Sequence, residues 1–479
     1  MLTTMESKKI LQIDTTMRSI LSNRGASVFV WSVWLIMMLV ALICTFKYGR
    51  NIPLSEDWFF VQPLTNNEPD LSAWLWRQNS EHRVPLPRLI LLGLLKLTNG
   101  DFRIGMVFNV VTLGAISFAV ILVARHMRGG RTSFADAFFP IILLHLGNWQ
   151  NLFWSWQIGF VLPTALTLTL LLVLVRYQTL TTPVAALISG FSLMMLPLCG
   201  ANGLLIVPIT AFWLIYTGVL HLHSEKRSGG HLWVSAFLIG SAGVALCLSA
   251  LYFVGYQRPS WVPLSHSIPK VLIIAAKFLA LGLGPVANSS WKLSTLVVMS
   301  FLIPSAVLGI LRVLHDNYSE RQRSLGILLY LGNLASFALA LGVGRAEVIG
   351  MHGYEGLPGW YVLLAVPALC TAFFIWELYG WANLKSFVQY ALFFTMLIML
   401  PFNTKWGLGW GRNYYGKGMH AVEKDLLAGT PLTTLAERHR DFLIHWMDKG
   451  ELANLMQMLH DANMGPFAQM LRDQSKQGY

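Results

Sequence analysis

The stretch VFVWSVWLIMMLVALICTF, residues 28–46, decides the fold. It carries no charged side chain, and at a rise of about 1.5 Å per residue it is long enough to cross a hydrocarbon core about 30 Å thick as a helix. Similar apolar runs recur along the chain. Helices satisfy their own backbone hydrogen bonds in lipid, and these continuous runs lack the alternating pattern of membrane β-strands. We therefore predict an all-α polytopic membrane protein.

The composition agrees with this class. Of the 479 residues, 55% are hydrophobic and 12% are charged, against about 25% charged residues in soluble domains. The net charge of +12 comes mainly from short loops and tails. That distribution is typical of the basic cytoplasmic loops of membrane proteins, so we expect no nucleic-acid partner. The four cysteines lie in or beside apolar segments and predict neither disulfides nor a zinc site.

The sequence predicts about eleven membrane spans, of which the short segment 133–147 is expected to be broken or tilted. With the N-terminus in the cytoplasm, the arginine- and lysine-rich loops fall on the inner side, and an odd number of spans places the C-terminus outside. The spans are 28–46, 104–124, 133–147, 157–177, 183–198, 204–222, 231–253, 294–313, 325–343, 361–378 and 386–402.

Two further apolar segments are not predicted to cross the membrane. Segment 86–98 would be about 20 Å long as a helix, which is too short. We expect it to lie along the outer surface, begun by Pro87, with Arg88 and Lys96 reaching toward lipid head groups. Segment 270–284 is expected to be interfacial or re-entrant.

These segments divide the chain into three parts. Residues 1–27 form a polar cytoplasmic tail, followed by the transmembrane domain 28–402, whose first outer loop with its surface helices is 47–103. The first span has no small-residue cleavage site after it and is expected to be retained. Residues 403–479 have mixed charge and periodic apolar residues. They predict a small helical domain on the outer side.

The first outer loop contains two polar motifs, SEDWFF at 55–60 and EHR at 81–83. Short surface helices would bring both motifs together above the bundle. A carboxylate there could act as a general base, and histidine or arginine could hold an anionic head group. The alternative is a hydrated loop whose charges have no specific role. The candidate residues are Glu56, Asp57, Trp58, Glu81, His82 and Arg83.

A second outer connection, GNWQNLFWSWQIGF at 147–160, combines four side-chain amides with three tryptophans. An interfacial aromatic belt accounts for the tryptophans. Amides together with indole rings also suit a carbohydrate, because amides bond hydroxyls and rings stack on sugar faces. The candidates for substrate binding here are Asn148, Gln150, Asn151 and Gln157. Asn202, in an Asn-Gly pair that predicts a tight outer turn, is a further candidate.

A third outer cluster follows the span 325–343. Arg345 comes directly after this span, where a guanidinium either snorkels to the interface or binds a lipid phosphate. Tyr354 and Glu355 follow in the same glycine-rich loop, and Arg258 belongs to another loop on the same side.

The order of these features resembles the integral-membrane glycosyltransferases of the GT-C superfamily. One helix is followed by an outer loop with the acidic pair Glu56-Asp57. A turn containing His82 then leads into a proline-led amphipathic helix, and GDFRIGMVFNVV at 100–111 opens the next span. The chain is similar to bacterial members that carry EHR in the first loop, an Asn-Gly turn and a late GR.

This resemblance implies a fold and an activity. A GT-C enzyme of the bacterial inner membrane would take a sugar from a polyprenyl-phosphate carrier and pass it, on the periplasmic face, to a glycan, lipid or protein acceptor. Asp57, or alternatively Glu56, would be the base, and Glu81 is a further candidate for catalysis. Arg345 would lie near the carrier phosphate.

The implied roles are less direct for the other cations. His82 and Arg83 would lie near the donor phosphate or the acceptor, with Arg258 as a further phosphate-binding candidate. Many members carry His-Pro-Pro where this chain has His82-Arg83-Val84-Pro85. Some members use a divalent cation such as Mg or Mn and others do not, so the metal content stays open.

Two other classes of function fit the same outer cavity. A transporter or polymerase of lipids or glycans would use the cavity without this donor chemistry. A catalytically silent assembly protein would have the same fold. Membrane lipids are expected partners under every one of these hypotheses.

Overall fold

The computed structural model describes residues 2–228, 232–349 and 356–470, with side chains described for 23–223, 232–349 and 356–468. Within these ranges the chain is helical and contains no strand, and one isolated β-bridge joins Asn79 and His82. The helices are α1 Leu2–Tyr48, α2 Val61–Leu64, α3 Leu71–Trp76, α4 Pro85–Leu97, α5 Arg103–Met127, α6 Phe138–Leu144, α7 Trp149–Phe153, α8 Ile158–Arg176, α9 Pro183–Met195, α10 Ala201–Leu204, α11 Val207–Ser228, α12 Leu232–Phe253, α13 Ile268–Ala280, α14 Trp291–His315, α15 Tyr318–Arg345, α16 Val362–Tyr379, α17 Ala382–Trp410, α18 Lys417–Leu427, α19 Leu432–Leu443 and α20 Lys449–Asp461.

Eight helical segments of the described chain are long and apolar enough to cross a membrane. The class of a polytopic helical membrane protein is thereby supported. Two shorter apolar helices, Pro183–Cys199 and Val207–His223, accompany them. The eleven spans predicted from the sequence are therefore not confirmed as membrane-length helices. The eight segments are Asn23–Tyr48, Arg103–Met127, Ser155–Arg176, Leu232–Phe253, Trp291–His315, Tyr318–Arg345, Gly359–Tyr379 and Ala382–Leu427.

The segment 133–147 is broken, as predicted. The α6 helix has only seven residues and ends where the backbone of His145 becomes extended. Asn148 then donates its side-chain N–H to the carbonyl of Leu143 at 3.3 Å and replaces a lost helical bond. Every residue from 135 to 149 is buried. Irregular backbone at membrane depth is tolerated where protein surrounds it.

The charged loops gather at two opposite ends of the bundle. At one end, called the loop end, Trp154 donates its indole N–H to the carbonyl of Leu54 in the first loop at 3.0 Å. At the other, the basic end, Arg128 bonds Glu377 at 2.6 Å and also pairs with Asp136. The loops predicted to be cytoplasmic thus meet one another and lie apart from the first loop.

The residues around α13 enter the bundle and leave it at the same end. Ser265, before the helix, donates its backbone N–H to Val343 at 2.9 Å. Asn288, after it, donates its side-chain N–H to the carbonyl of Leu357 at 2.8 Å. Both contacts lie at the loop end, because Val343 and Leu357 flank the loop between α15 and α16, and Arg345 at the end of α15 pairs with Glu81 of the first loop. The predicted re-entrant course of 270–284 agrees with these contacts.

The predicted surface helix 86–98 is confirmed as a helix, α4, but the prediction for Arg88 is wrong. Its side chain is 2% exposed and donates to the backbone carbonyls of Trp74 at 2.6 Å and Arg77 at 2.5 Å. The guanidinium also lies over the Trp74 ring. The last carbonyls of α3 lack helical partners, and an adjacent cation satisfies them better than a distant head group. Lys96 is exposed.

The predicted C-terminal helices are present as α19 and α20. The predicted domain boundary at residue 403 does not coincide with the end of a helix. The α17 helix continues to Trp410, and a π-helix at Gly411–Gly416 joins it to α18. This region packs on the first loop. Arg50 forms an ion pair with Glu423 at 2.9 Å.

Candidate active site

Two of the polar motifs singled out in the sequence meet at the loop end. The Glu81 carboxylate forms an ion pair with Arg345 and lies 3.4 Å from Nε2 of His82. Arg345 also donates Nε–H to the hydroxyl of Tyr361 at 2.7 Å. Arg345 therefore does not simply extend into the interface. Its guanidinium is held between a carboxylate and a phenol at the mouth of the bundle.

The local backbone explains why Glu81 faces Arg345. Asn79 and His82 exchange backbone hydrogen bonds at 2.8 Å and close a tight turn, with Ser80 at a φ of 52° in the left-handed region. The hydroxyl of Tyr252 donates to the carbonyl of Glu81 at 2.9 Å. Gly200, at a φ of 81°, packs closely against Val84, just after the turn. Three separate segments thus hold the turn that carries Glu81.

The acidic pair begins the 3-10 helix Ser55–Phe60. Asp57 is 1% exposed and accepts the backbone N–H of Leu54 at 3.4 Å, so it caps this helix. Burial raises the pKa of Asp57 well above its usual range. Glu56 is half-buried and accepts the hydroxyl of Ser55 at 2.7 Å. Its pKa is also raised by burial.

His82 is the titratable partner of Glu56 and Glu81. Burial lowers the pKa of His82 to about 4, and the charge of Glu56 opposes this change. At neutral pH the ring is therefore uncharged, and its contact with Glu81 is not an ion pair. One ring nitrogen donates a hydrogen bond and the other accepts one in this state. Arg345 is then the permanent cation beside the carboxylates.

The two other predicted phosphate-binding arginines differ in position. Arg83 is 8% exposed, and its Nε has no partner within the described parts of the chain. It lies beside Gly255. Arg258 is exposed and donates its Nε–H to Val262 at 2.7 Å, within its own loop. Arg83 is therefore a buried guanidinium two residues from Glu81, whereas Arg258 is engaged within its own loop.

Gln78 connects the first loop with the loop after α12. Its side chain donates to the backbone carbonyl of Gln257 at 2.5 Å and accepts the Gln257 N–H at 3.1 Å. The loop of Arg258 is thereby held against the turn that carries Glu81. This contact was not predicted from the sequence.

The amides of the second outer connection are mostly buried. Asn151 donates to the carbonyl of Trp360 at 3.3 Å, so the segment is tied to the start of α16. In the part of the chain with described side chains, each amide keeps one carbonyl oxygen without a hydrogen-bond donor. Such oxygens accept hydroxyl or N–H groups. The four residues are Asn148, Gln150, Asn151 and Gln157.

The Asn-Gly pair at 202–203 is not the predicted tight turn. The turn is made by Gly200, and Asn202 lies within α10. Asn202 is buried and donates its side-chain N–H to the carbonyl of Gly159 at 3.3 Å. Gly203 packs so closely on the backbone of Leu196 that a side chain would collide with it. The Asn-Gly pair therefore allows α10 to pack closely on the segment that contains Leu196, and Asn202 bonds the start of α8.

Three other candidates for substrate binding do not line this site in the described structure. Trp58 is fully buried, and its ring packs edge-on against Phe467 of the C-terminal region, 6.3 Å between ring centres. Tyr354 and Glu355 lie outside the described residues.

The carboxylates do not form an evident metal centre. Among the residues that the structure describes, no group of three or more His, Cys, Asp and Glu side chains is arranged to hold an ion. Glu81 is instead paired with Arg345. We therefore derive no step through Mg or Mn.

Sequence reasoning missed Tyr252 and Tyr361, the two phenols that hold Glu81 and Arg345. Each lies at the loop end of an apolar helix, where an interfacial role explains tyrosine equally well. Neither a family model nor a curated protein matches this chain.

Proposed function

We propose that the protein is a GT-C-type glycosyltransferase that moves a sugar from a polyprenyl-phosphate carrier to a glycan, lipid or protein acceptor. The observation that supports this best is the meeting of Glu81, His82 and Arg345, with Glu56 in electrostatic contact with His82. Carboxylates beside a fixed guanidinium supply a base and a phosphate-binding cation in one place.

The proposed transfer needs a proton acceptor on one side of the sugar and positive charge on the other. The acceptor oxygen forms a bond to the anomeric carbon, the bond from that carbon to the phosphate oxygen breaks, and the carrier phosphate leaves with the electron pair. A carboxylate takes the acceptor's hydroxyl proton. Arg345 and Arg83 stabilise the charge on the departing phosphate.

Glu56 is better placed than Asp57 to be this base. Asp57 is 1% exposed, and one of its carboxylate oxygens accepts the backbone N–H of Leu54. Glu56 is half-buried, and its raised pKa makes it a stronger base than an ordinary carboxylate. Asp57 then orders the turn that presents Glu56.

The contacts at the two ends of the bundle favour the eleven-pass architecture of this proposal. Asp136 pairs with Arg128 at the basic end, whereas Trp154 contacts Leu54 at the loop end. The broken segment between them therefore passes from one end to the other. We infer that the shorter helices α9 and α11 connect the same two ends. The broken segment and these two helices add three passes to the eight long segments, which gives eleven. We place the loop end in the periplasm of a bacterial inner membrane.

The test is release of polyprenyl phosphate by the purified protein, supplied with a panel of polyprenyl-phosphate monosaccharides and followed by mass spectrometry. Glu56→Gln should lower the rate by about 100-fold or more, the usual contribution of general base catalysis. Glu81→Gln should also lower the rate, because it removes the carboxylate that holds Arg345. The matched control is Asp70→Asn. Asp70 is an exposed acid of the same loop that caps α3, and asparagine caps equally well.

Unchanged release in both glutamate variants would contradict the proposed site. Movement of an intact donor across the membrane without release of the phosphate would favour a transporter. Transfer lost in Asp57→Asn but kept in Glu56→Gln would return the base to Asp57. If the wild-type protein binds the polyprenyl-phosphate donor but neither releases polyprenyl phosphate nor moves the donor across the membrane, an assembly role would be favoured.

A further inference from the structure

The basic end contains a cavity of about 250 Å³ between α8, α11 and α15. On the measure in which one water needs about 10–15 Å³, it can hold a phosphate head group. It is far from Glu81 and Arg345, because it lies where α8 ends and α15 begins. Its lining includes Gln178, Trp213, Leu220, Tyr318, Gln322 and Arg323.

Arg323 is the buried cation of this cavity. Its side chain is 9% exposed, and one of its terminal nitrogens lies 3.3 Å from the carboxylate of Glu320. Its Nε has no hydrogen-bond partner in the described portions of the chain. Glu320 is also bonded by Gln178 at 2.8 Å. The carboxylate of Glu320 is bonded through one terminal nitrogen of Arg323. The buried Nε–H is left unmatched among the described residues, and a buried unmatched donor of a charged group favours an anionic oxygen ligand.

The walls of the cavity point to a ligand with an apolar tail. Leu174, Leu180 and Trp213 line the cavity and also a smaller one of about 20 Å³ that lies deeper in the bundle. The deeper cavity is lined mainly by apolar side chains, including Ile209 and Leu214. A soluble anion would use the arginine alone, whereas these walls suit a hydrocarbon chain below a charged head.

We propose that this cavity binds an anionic phospholipid, with the phosphate on Arg323 and an acyl chain along Leu174, Leu180 and Trp213. Basic pockets between helices on the cytoplasmic side are suited to anionic head groups. The site would couple the protein to the anionic lipid of one leaflet. It does not depend on the proposed glycosyltransferase activity.

The test compares Arg323→Gln with Arg321→Gln as the matched control. Arg321 is exposed and lies two residues away on the same helix, so both variants lose one charge. Each protein is purified in detergent with phosphatidylglycerol or phosphatidylcholine, and retained lipid is counted by native mass spectrometry. We expect wild type and Arg321→Gln to retain phosphatidylglycerol preferentially. Arg323→Gln should bind it about tenfold more weakly, the loss of one charged hydrogen bond.

Glu320→Gln separates ligand binding from damage to the fold. It breaks the same ion pair as Arg323→Gln but frees the guanidinium, so phosphatidylglycerol should bind more tightly than to wild type. Equal retention of the two lipids by wild type, equal loss in both arginine variants, or weaker binding in Glu320→Gln would overturn the proposal. Displacement of the lipid by inorganic phosphate alone would assign the site to a soluble anion and also overturn it.

Discussion

At the scale of single residues, His82 makes stability depend on pH. Its pKa is lowered from 6.5 to about 4, so the unfolded chain binds more protons than the folded protein between these values. Stability is complete above about pH 6.5 and falls as pH decreases toward 4. Each pH unit below 6.5 lowers the free energy of unfolding by at most about 1.36 kcal/mol, so the loss at pH 5 is about 2 kcal/mol at most.

We therefore expect the wild type to lose more stability than His82→Gln between pH 7 and pH 5, measured by thermal unfolding in detergent. The raised pKa values of Glu56 and Asp57 act in the opposite direction, but they are present in both proteins. His126→Gln, at an exposed position of the basic end, is the control and should follow the wild type. If the stability of wild type and of His82→Gln changes equally between pH 7 and pH 5, the lowered pKa of His82 is contradicted.

Single residues also show what the sequence could and could not predict about the site. Glu81 and Arg345 were both selected because charge is rare and conspicuous beside apolar helices. That they pair with each other was not predictable, since pairing depends on how distant helices pack. The prediction for Arg88 is wrong for the same reason. Its position at the start of an amphipathic helix suits snorkelling, but the sequence does not show that the last carbonyls of α3 lie within reach of its guanidinium.

At the scale of elements, the turn after α13 requires glycine. Gly284 has a φ of 100° and packs directly on the side chain of Asn403. Asn403 in turn donates to the carbonyl of Leu283 at 2.8 Å. Alanine there combines an unfavourable backbone with a steric collision, so Gly284→Ala should lower stability by about 1–3 kcal/mol.

The melting temperature in detergent measures this effect, with Gly332→Ala as control. Gly332 lies inside α15 with open space around its α-carbon. Alanine is favoured over glycine in a helix by about 1 kcal/mol, so this variant should be as stable as wild type or more stable. A Gly284→Ala protein that melts with wild type would show that the re-entrant turn is not constrained as described.

Long elements were predicted better than short ones. An apolar run of membrane length has few alternatives to a helix, so α5, α12 and α14 follow the sequence closely. The break in 133–147 was anticipated from its short length. The continuation of α17 past residue 403 was not, because polar residues such as Asn403 and Lys405 look like the end of a span although Asn403 is buried within the bundle.

At the scale of the whole molecule, the separation of charge into two ends makes the orientation testable. The arginine-rich loops lie together at the basic end, and the C-terminal helices pack on the first loop. If basic loops stay in the cytoplasm, a position in α20 and one in the loop after α12 must both face the periplasm. A position beside Arg128 must face the cytoplasm.

Single cysteines in a cysteine-free background test this arrangement. Gln257→Cys, Glu451→Cys and Arg131→Cys are all at exposed positions. In spheroplasts, a membrane-impermeant maleimide should label the first two, and Arg131→Cys only after the membrane is lysed. The reverse pattern would invert the orientation and place the proposed site in the cytoplasm. Labelling of Gln257→Cys but not Glu451→Cys in spheroplasts would mean an odd number of passes between these two positions, whereas the proposed arrangement has an even number. The C-terminal helices could then not pack on the first loop as they do through Arg50 and Glu423.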